Sequence, residues 1–260
     1  MLVHRRRLPF LTETRLITLS ISPFNELARW SLDRAGVPYV EQPQALVWHV
    51  IASRRAGGKG TTPVLVTDGE VVGESAEIAE WADRHAGADR RLYPEGAGAE
   101  EARALVTRFV TELGPQARRV IWGHLVNDPA LADRYWGQRV SARQRRVQPW
   151  LLRFGKIGIR RALVLDKSAV EAAPGRVRAI FDQVAERLGG DRRHLLGEEL
   201  TIADIAFAAM ASPAILPDEG YPAKMPGPEE FPGPVAETIH SLRAHPAGEY
   251  ALRLYREQRG

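Results

Sequence analysis

Three short stretches of this 260-residue chain hold polar groups where the backbone itself can help them do chemistry. Ser22 ends an alternating apolar run over 16–21 and is followed by Pro23, Phe24 and Asn25. Leu27, Trp30, Ser31 and Arg34 then fall at helical spacing. Ser22 therefore reads as a helix N-cap with proline at the first helical position. A hydroxyl at that place can hold a thiolate through a charge-assisted hydrogen bond, helped by the positive end of the helix dipole; the other reading is a cap and nothing more. Ser20, on the same side of an ideal strand, is a second candidate donor. Asn25 either helps orient the sulfur or faces water. Thr62-Pro63 begins the apolar run Val64-Leu65-Val66, as a proline at a strand edge does. Glu74-Ser75 open a further helix, whose free amides beneath a Ser75 cap can bind a carboxylate while Glu74 meets an ammonium. Together these stretches outline a site for a peptide that carries a thiol.

The elements that must position these groups follow from periodicity. The first half reads as strand 16–21, helix 23–35, strand 37–42, helix 46–56, strand 64–67, turn Asp68-Gly69, strand 70–72 and helix 75–85. Strands separated by a helix pair in parallel, whereas Asp-Gly between short apolar runs makes a hairpin. The expected fold is α/β plus all-α: a thioredoxin-like order with a mixed four-stranded sheet, then an all-helical second half. The Gly-rich passage 86–98 is the linker, with the boundary near 90. Helices are expected over 99–127, 130–147, 149–165, 175–188, 201–210, 235–244 and 246–258. Pro115 should kink the first of these, and Pro149 should bend or break the chain between the second and third. Thr201 and Asp204 have capping-box spacing at the head of a buried helix, which makes Asp204 structural. Residues 213–234 hold seven prolines and read as a long connection.

Strand, Ser-Pro-Phe, helix, Thr-Pro-Val-Leu, hairpin and Glu-Ser-helix resemble the amino-terminal half of a cytosolic glutathione transferase of the serine type. His194-Leu195-Leu196-Gly197, followed by Leu200-Thr201-Ile202-Ala203-Asp204, resembles the helical half. The resemblance implies an extension at 1–11, a thioredoxin-like glutathione-binding domain at 12–88, a linker at 89–97 and a helical domain at 98–260. It implies that Ser22 donates to the glutathione sulfur, whose thiol titrates at about 8.5 in water. It also implies that Phe24, Asn25, Lys59, Thr62, Pro63, Glu74 and Ser75 bind glutathione, Thr62-Pro63 through a cis bond that exposes the preceding backbone. Lys59 departs from the family pattern, because Gly60, Thr61 and Thr62 stand between it and Pro63, two residues more than usual; a solvated lysine on a flexible loop is the equal reading. Arg29, commonly basic in the family, is taken as structural. The electrophile pocket is expected between Ser22 and the first long helix, lined by Phe24, Arg108, Phe109 and Glu112, with Trp122 a further candidate. The implied reaction is conjugation of the thiolate to a small hydrophobic electrophile. A glutathione-dependent isomerase or lyase, or a non-catalytic binding or scaffold protein on the same fold, are the alternatives. A homodimer is implied as well.

Composition narrows the classes. With no cysteine, a disulfide framework, a Cys metal site, a Cys nucleophile and a redox dithiol are excluded; the resemblance further implies that serine at position 22, where the omega-like branch carries cysteine, disfavours thioltransferase chemistry. No metal is expected, since His, Asp and Glu lack ligand spacing, and no Gly-rich phosphate loop occurs. Only a short apolar group follows Arg5, Arg6 and Arg7, too short for a signal peptide, and no run reaches membrane-span length, so the expected location is cytoplasmic. Of 36 cations 32 are arginine, a skew that reflects base composition more readily than nucleic-acid binding. The interleaved exposed aromatics of a base-stacking surface are not expected either. The excess is local: between Asp133 and Asp166 stand Arg134, Arg139, Arg143, Arg145, Arg146, Arg153, Lys156, Arg160 and Arg161 with no acidic residue. Arg139, Arg146, Arg153 and Arg160 recur every seven positions. They would form one helical stripe, either a solvated face or a surface for an acidic partner, an anionic substrate or an anionic membrane.

Overall fold

Leu16 and Ile17 sit at the centre of a sheet ordered β2-β1-β3-β4, built from β1 (Arg15–Thr18), β2 (Val40–Pro43), β3 (Val64–Val66) and β4 (Val71–Val72). The computed structural model describes residues 14–189 and 192–259, so the expected extension at 1–11 and positions 12 and 13 lie outside the described residues. β1 pairs in parallel with β2, across the helical crossover, and antiparallel with β3. β3 and β4 form the hairpin, closed by the Thr67 amide on the Glu70 carbonyl at 3.0 Å. β1 is shorter than the alternation suggests, because residues 19–21 leave the sheet to deliver Ser22 to α1 (Pro23–Ala35).

α1 packs against α3 (Ser75–His85) and reaches across to the helical half. It is stopped by Gly36 at φ 71°, where the Val37 amide returns to the Leu32 carbonyl at 3.0 Å. A Cβ at Gly36 would also meet the end of the Arg90 side chain, which can swing aside, so it is the positive φ that calls for glycine. α2 (Trp48–Arg55) completes the first half.

The linker is fastened rather than loose. The Asp83 carboxylate, in the last turn of α3, accepts from the Leu92 amide at 2.6 Å, the Tyr93 amide at 3.1 Å and the Arg91 guanidinium at 2.7 Å. Burial alone pushes the Asp83 carboxyl up, but these donors outweigh it and hold the carboxyl below its usual range. A depressed carboxyl gives stability that is present above the unfolded pKa of 3.8 and is lost as pH falls through the lower folded value. Asp83→Asn is therefore expected to flatten the acid limb of urea midpoints measured from about pH 5 to pH 2. At neutral pH it should cost about 1–2 kcal/mol.

The second half contains α4 (Ala97–Arg108), α5 (Gly114–Leu125), α6 (Pro129–Trp136), α7 (Ala142–Ala162), α8 (Lys167–Leu188), α9 (Ile202–Ile215), α10 (Gly233–Arg243) and α11 (Pro246–Gln258). The kink expected at Pro115 is a π-turn over Phe109–Leu113 between α4 and α5, just upstream of the residue that has no amide to give. Pro149, in contrast, does not divide two helices. It lies inside α7, and the carbonyl it leaves without a partner belongs to exposed Arg145, where water can take it. The break falls earlier, at residues 137–141. This corrects the stripe: Arg139 is in that turn at φ 61° and pairs with Glu41, outside α7. Pro174 and Pro213 likewise lie within α8 and α9, which begins α8 at an Asp166 cap rather than near 175 and carries α9 past 210.

α9 is buried along its whole length and contacts α1, α4, α5, α10 and α11. A helix apolar all round has no solvent face to offer and belongs at the centre. Its Phe207 ring stands 5.3 Å from Phe109 and 5.5 Å from Phe181. The expected capping box forms. The Asp204 carboxylate takes the Thr201 amide at 2.7 Å and the Thr201 hydroxyl at 3.0 Å, while that hydroxyl accepts from the Ala203 amide at 3.3 Å.

Candidate functional site

Ser22 stands at the head of α1 with extended backbone, φ −153° and ψ 125°, and its carbonyl accepts the Glu26 amide at 2.9 Å. Its hydroxyl makes no capping hydrogen bond, although Pro23 occupies the first turn as the sequence predicts. The Ser22 amide donates to the Tyr221 hydroxyl at 3.1 Å. Burial first, and then the Glu26 charge, push the Tyr221 phenol far above its usual range, so it stays protonated. The rival donor Ser20 is fully buried and already spent, since its hydroxyl donates to the Gln138 carbonyl of the helical half.

Behind Ser22 lies a buried ionic network. The Arg29 guanidinium donates to Glu41 at 2.6 Å, to Glu26 at 3.4 Å and to the Leu19 carbonyl at 2.8 Å, so Arg29 is structural as expected. Glu26 also takes Arg259 at 2.6 Å, and Glu41 takes Thr18 at 2.7 Å and Arg139 at 2.7 Å. Burial pushes the Glu41 carboxyl up, yet Arg29 holds it below the usual range. Arg139, in the turn between α6 and α7, and Arg259, past α11, are thus tied to the strand and helix that present Ser22.

Asn25 turns inward and is fully buried: its amide donates to Thr62 Oγ1 at 3.3 Å and to the Leu19 carbonyl at 3.4 Å. It therefore does not face water, and its amide is given to these two protein acceptors rather than held for a sulfur; it joins the first turn of α1 to the Thr62–Pro63 turn. The Thr62–Pro63 bond is cis. Asn25 Oδ1 is buried without a partner. Lys59 is exposed on a loop that is well tied, the Gly58 amide on the Ser53 carbonyl at 2.8 Å and the Gly60 amide on Ser53 Oγ at 3.0 Å. Ser75 is the first residue of α3 rather than its cap; exposed Glu74 takes the cap position and its carbonyl accepts the Ile78 amide at 3.0 Å. The Ser75 hydroxyl is buried and has no protein partner. A buried hydroxyl donor left open at a helix N-terminus suits a carboxylate such as an anionic peptide end.

Of the expected electrophile wall, Arg108 ends α4 and Phe109 and Glu112 lie in the π-turn, which resets the facing of α5 after it. Phe109 lies in the core against Phe207 and is 1% exposed. Arg108 bonds Glu112 at 3.3 Å and also Gln183 of α8. Gly114 and Arg118 both meet Phe24. A Cβ at Gly114 would stand 3.1 Å from the Phe24 ring and 2.6 Å from Met210 Sδ, so any larger side chain there would have to displace these two groups. The Arg118 guanidinium lies 5.8 Å from the Phe24 ring centre and 5.3 Å from that of Trp122. Burial, and then the neighbouring Arg119, lower its pKa to about 10, and its Nε has no partner. Trp122 itself is core, edge-on to Trp136 at 5.1 Å. Arg118 and Tyr221 were missed from sequence. Arg118 gave one signal, a cation between the apolar positions Ala117 and Val120, whereas Tyr221 sits among prolines with no periodicity to read. Among the described residues no group of His, Asp and Glu could hold a metal ion.

Comparison with known proteins matches residues 16–90 to the glutathione S-transferase N-terminal domain and residues 167–232 to the glutathione S-transferase C-terminal domain. No curated protein matches the sequence. Among solved structures, a glutathione S-transferase of Ceriporiopsis subvermispora in complex with glutathione is 16% identical with a TM-score of 0.62, covering 95% of this chain and 97% of that one. A glutathione S-transferase from Sinorhizobium meliloti 1021 is 19% identical with a TM-score of 0.56, covering 93% of each chain. Beta-etherase LigF from Sphingobium sp. strain SYK-6 is 17% identical with a TM-score of 0.58, covering 93% of this chain and 99% of that one. At these identities the likeness is one of fold.

Proposed function

Because this chain belongs to the glutathione transferase family, we propose that it binds glutathione and that the Ser22 hydroxyl holds the sulfur as thiolate for attack on a small hydrophobic electrophile. One observation carries this reading: Ser22 is the N-cap of α1, yet its hydroxyl makes no capping bond and is left to donate to a ligand. The α1 dipole adds to that bond, and the two together lower a thiol that would otherwise be mostly protonated at neutral pH. The peptide occupies a thioredoxin-like domain over 12–88, joined by a linker at 89–97 to a helical domain over 98–260. The backbone before cis-Pro63 receives the cysteinyl unit, with Asn25 bracing Thr62. The Ser75 hydroxyl and the free amides of α3 take the γ-glutamyl carboxylate, Glu74 the ammonium and Lys59 the glycyl carboxylate. Phe24, Gly114 and Arg118 wall the electrophile side. Catalysis is then thiolate stabilisation plus positioning. A glutathione-dependent isomerase or lyase would use the same thiolate. A homodimer and a cytoplasmic location go with the reading.

A second reading, a glutathione-binding protein without turnover, is favoured by a specific observation. Ser22 is only 4% exposed, and Tyr221 closes over its amide from the proline-rich connection. Calorimetric titration of glutathione with parallel thiolate absorbance separates the two. Conjugation chemistry requires saturable binding with a thiolate signal, and Ser22→Ala should lose that signal while still binding the peptide. Binding without thiolate in the unaltered protein would leave the binding reading, and no binding at millimolar glutathione would sink both for this thiol.

A further inference from the structure

α7 turns Gln148, Leu152 and Ile159 inward and leaves Val147, Trp150, Phe154 and Ile157 at 37%, 63%, 74% and 69% exposure. The spacing of three, four and three residues makes them one straight stripe along the outer side of the helix. Continuing the same spacing, Arg143 and Arg161 close the stripe at either end, and Arg146 and Arg153 run one position to its side. Scattered exposed apolar residues need no explanation, but a contiguous aromatic ridge does. Arg143, Arg145, Arg146, Arg153 and Arg161 make no ion pair among the described residues, whereas Arg134 and Arg139, outside α7, are paired with Glu230 and Glu41. No acidic residue stands anywhere from 134 to 165 to neutralise them. The helix also lies wholly outside the two stretches that match the family, 16–90 and 167–232, so neither match accounts for it.

The composition selects among occupants. A second copy docking through a two-fold axis would bring one set of unpaired arginines against the other. Single-stranded nucleic acid would need open ring faces, but Trp150 and Phe154 stack on each other at 6.0 Å and 11°, and the rest of the ridge is aliphatic. An anionic bilayer suits every feature at once: aromatic and aliphatic tips enter the headgroup boundary, and the flanking guanidinium groups meet lipid phosphates. No helix of the described residues is long and apolar enough to cross a membrane, so contact would be at the surface.

We propose that α7 is a peripheral docking helix, which lays Val147, Trp150, Phe154 and Ile157 into the boundary of an anionic membrane while Arg143, Arg146, Arg153 and Arg161 bind its headgroups. The test is co-sedimentation of the full chain with phosphatidylcholine vesicles, with and without phosphatidylglycerol. Binding is expected only with the anionic lipid, weakening as salt rises. Arg146→Gln/Arg153→Gln should lower affinity roughly 30-fold, about fivefold per cation. Trp150→Ser/Phe154→Ser should abolish sedimentation while leaving glutathione titration and thermal unfolding as in the parent, because both side chains are at the surface. Failure of the parent chain to sediment with anionic vesicles overturns the proposal, and so does equal sedimentation by the Trp150→Ser/Phe154→Ser chain. If the parent instead binds oligo-deoxythymidine or a poly-glutamate peptide and ignores vesicles, the ridge is assigned to that partner. An oligomer broken by Trp150→Ser/Phe154→Ser, again without vesicle binding, assigns it to a second copy.

Discussion

Asp204→Ala is expected to lower the unfolding free energy by about 3–5 kcal/mol, a large share of what a chain of this size holds in reserve. The carboxylate is fully buried and accepts from the Leu195 amide at 2.7 Å, the Thr201 amide at 2.7 Å, the Thr201 hydroxyl at 3.0 Å and the Tyr250 hydroxyl at 2.5 Å. Alanine leaves all four donors in a region that water does not reach, and each unpaired donor costs about 1–3 kcal/mol before relaxation. It also removes the N-terminal lock of α9, the helix on which α1, α5 and α11 pack. Asp204→Asn keeps the shape and an acceptor oxygen but loses the charge, so it should fall between the parent and alanine. Urea unfolding followed by circular dichroism measures all three. An alanine variant within about 1 kcal/mol of the parent would mean that the box is ornamental and that apolar burial alone fixes α9.

That box was legible because it is local. Thr201 and Asp204 are three residues apart, and the apolar run behind them is continuous, so cap and core announce themselves together. The same holds for the Asp68-Gly69 hairpin and for α3, whose span over Ser75–His85 matches the periodicity. Proline misled where burial or water could absorb its missing bond. Pro149, Pro174 and Pro213 all lie within helices, and among the described residues the helix geometry changes to a π-turn just before Pro115. Phe109 is taken up by the core against Phe207, and Arg108 by Glu112 and Gln183, while the π-turn resets the facing of α5 after it and brings Gly114 and Arg118 to Phe24. Tyr221 meets Ser22 from a distance of 199 positions, and no local pattern can encode such a pairing. The exposed ridge on α7 was hidden for a related reason, since its apolar positions are as regular as those of a core helix until the inner side is seen to be occupied by Gln148, Leu152 and Ile159.

Arg29→Met should cost about 3–5 kcal/mol, and it should damage thiol activation even where the protein remains folded. The guanidinium is 1% exposed and offsets two carboxylates, Glu26 and Glu41, that are themselves out of water. Methionine fills much the same volume, so cavity formation is minor and the loss is electrostatic. Each carboxylate retains a cation, Arg259 for Glu26 and Arg139 for Glu41, which puts the effect nearer the lower end of that range. Combining Arg29→Met with Glu41→Gln removes one orphaned charge and should recover part of the loss, giving a coupling of about 0.5–3 kcal/mol in a double-mutant cycle. The consequence for function follows from a different contact. Arg29 Nη2 holds the Leu19 carbonyl at 2.8 Å, in the short passage between the last residue of β1 and Ser22. Without it the passage is free to shift, and hydrogen-bond geometry to a thiolate weakens steeply with misalignment. Thiolate absorbance against pH, recorded on the folded Arg29→Met protein, should therefore show a sulfur pKa raised toward its value in water while the glutathione affinity changes less. An unchanged thiolate titration in a destabilised Arg29→Met protein would separate the network from the site and leave Arg29 as scaffold alone.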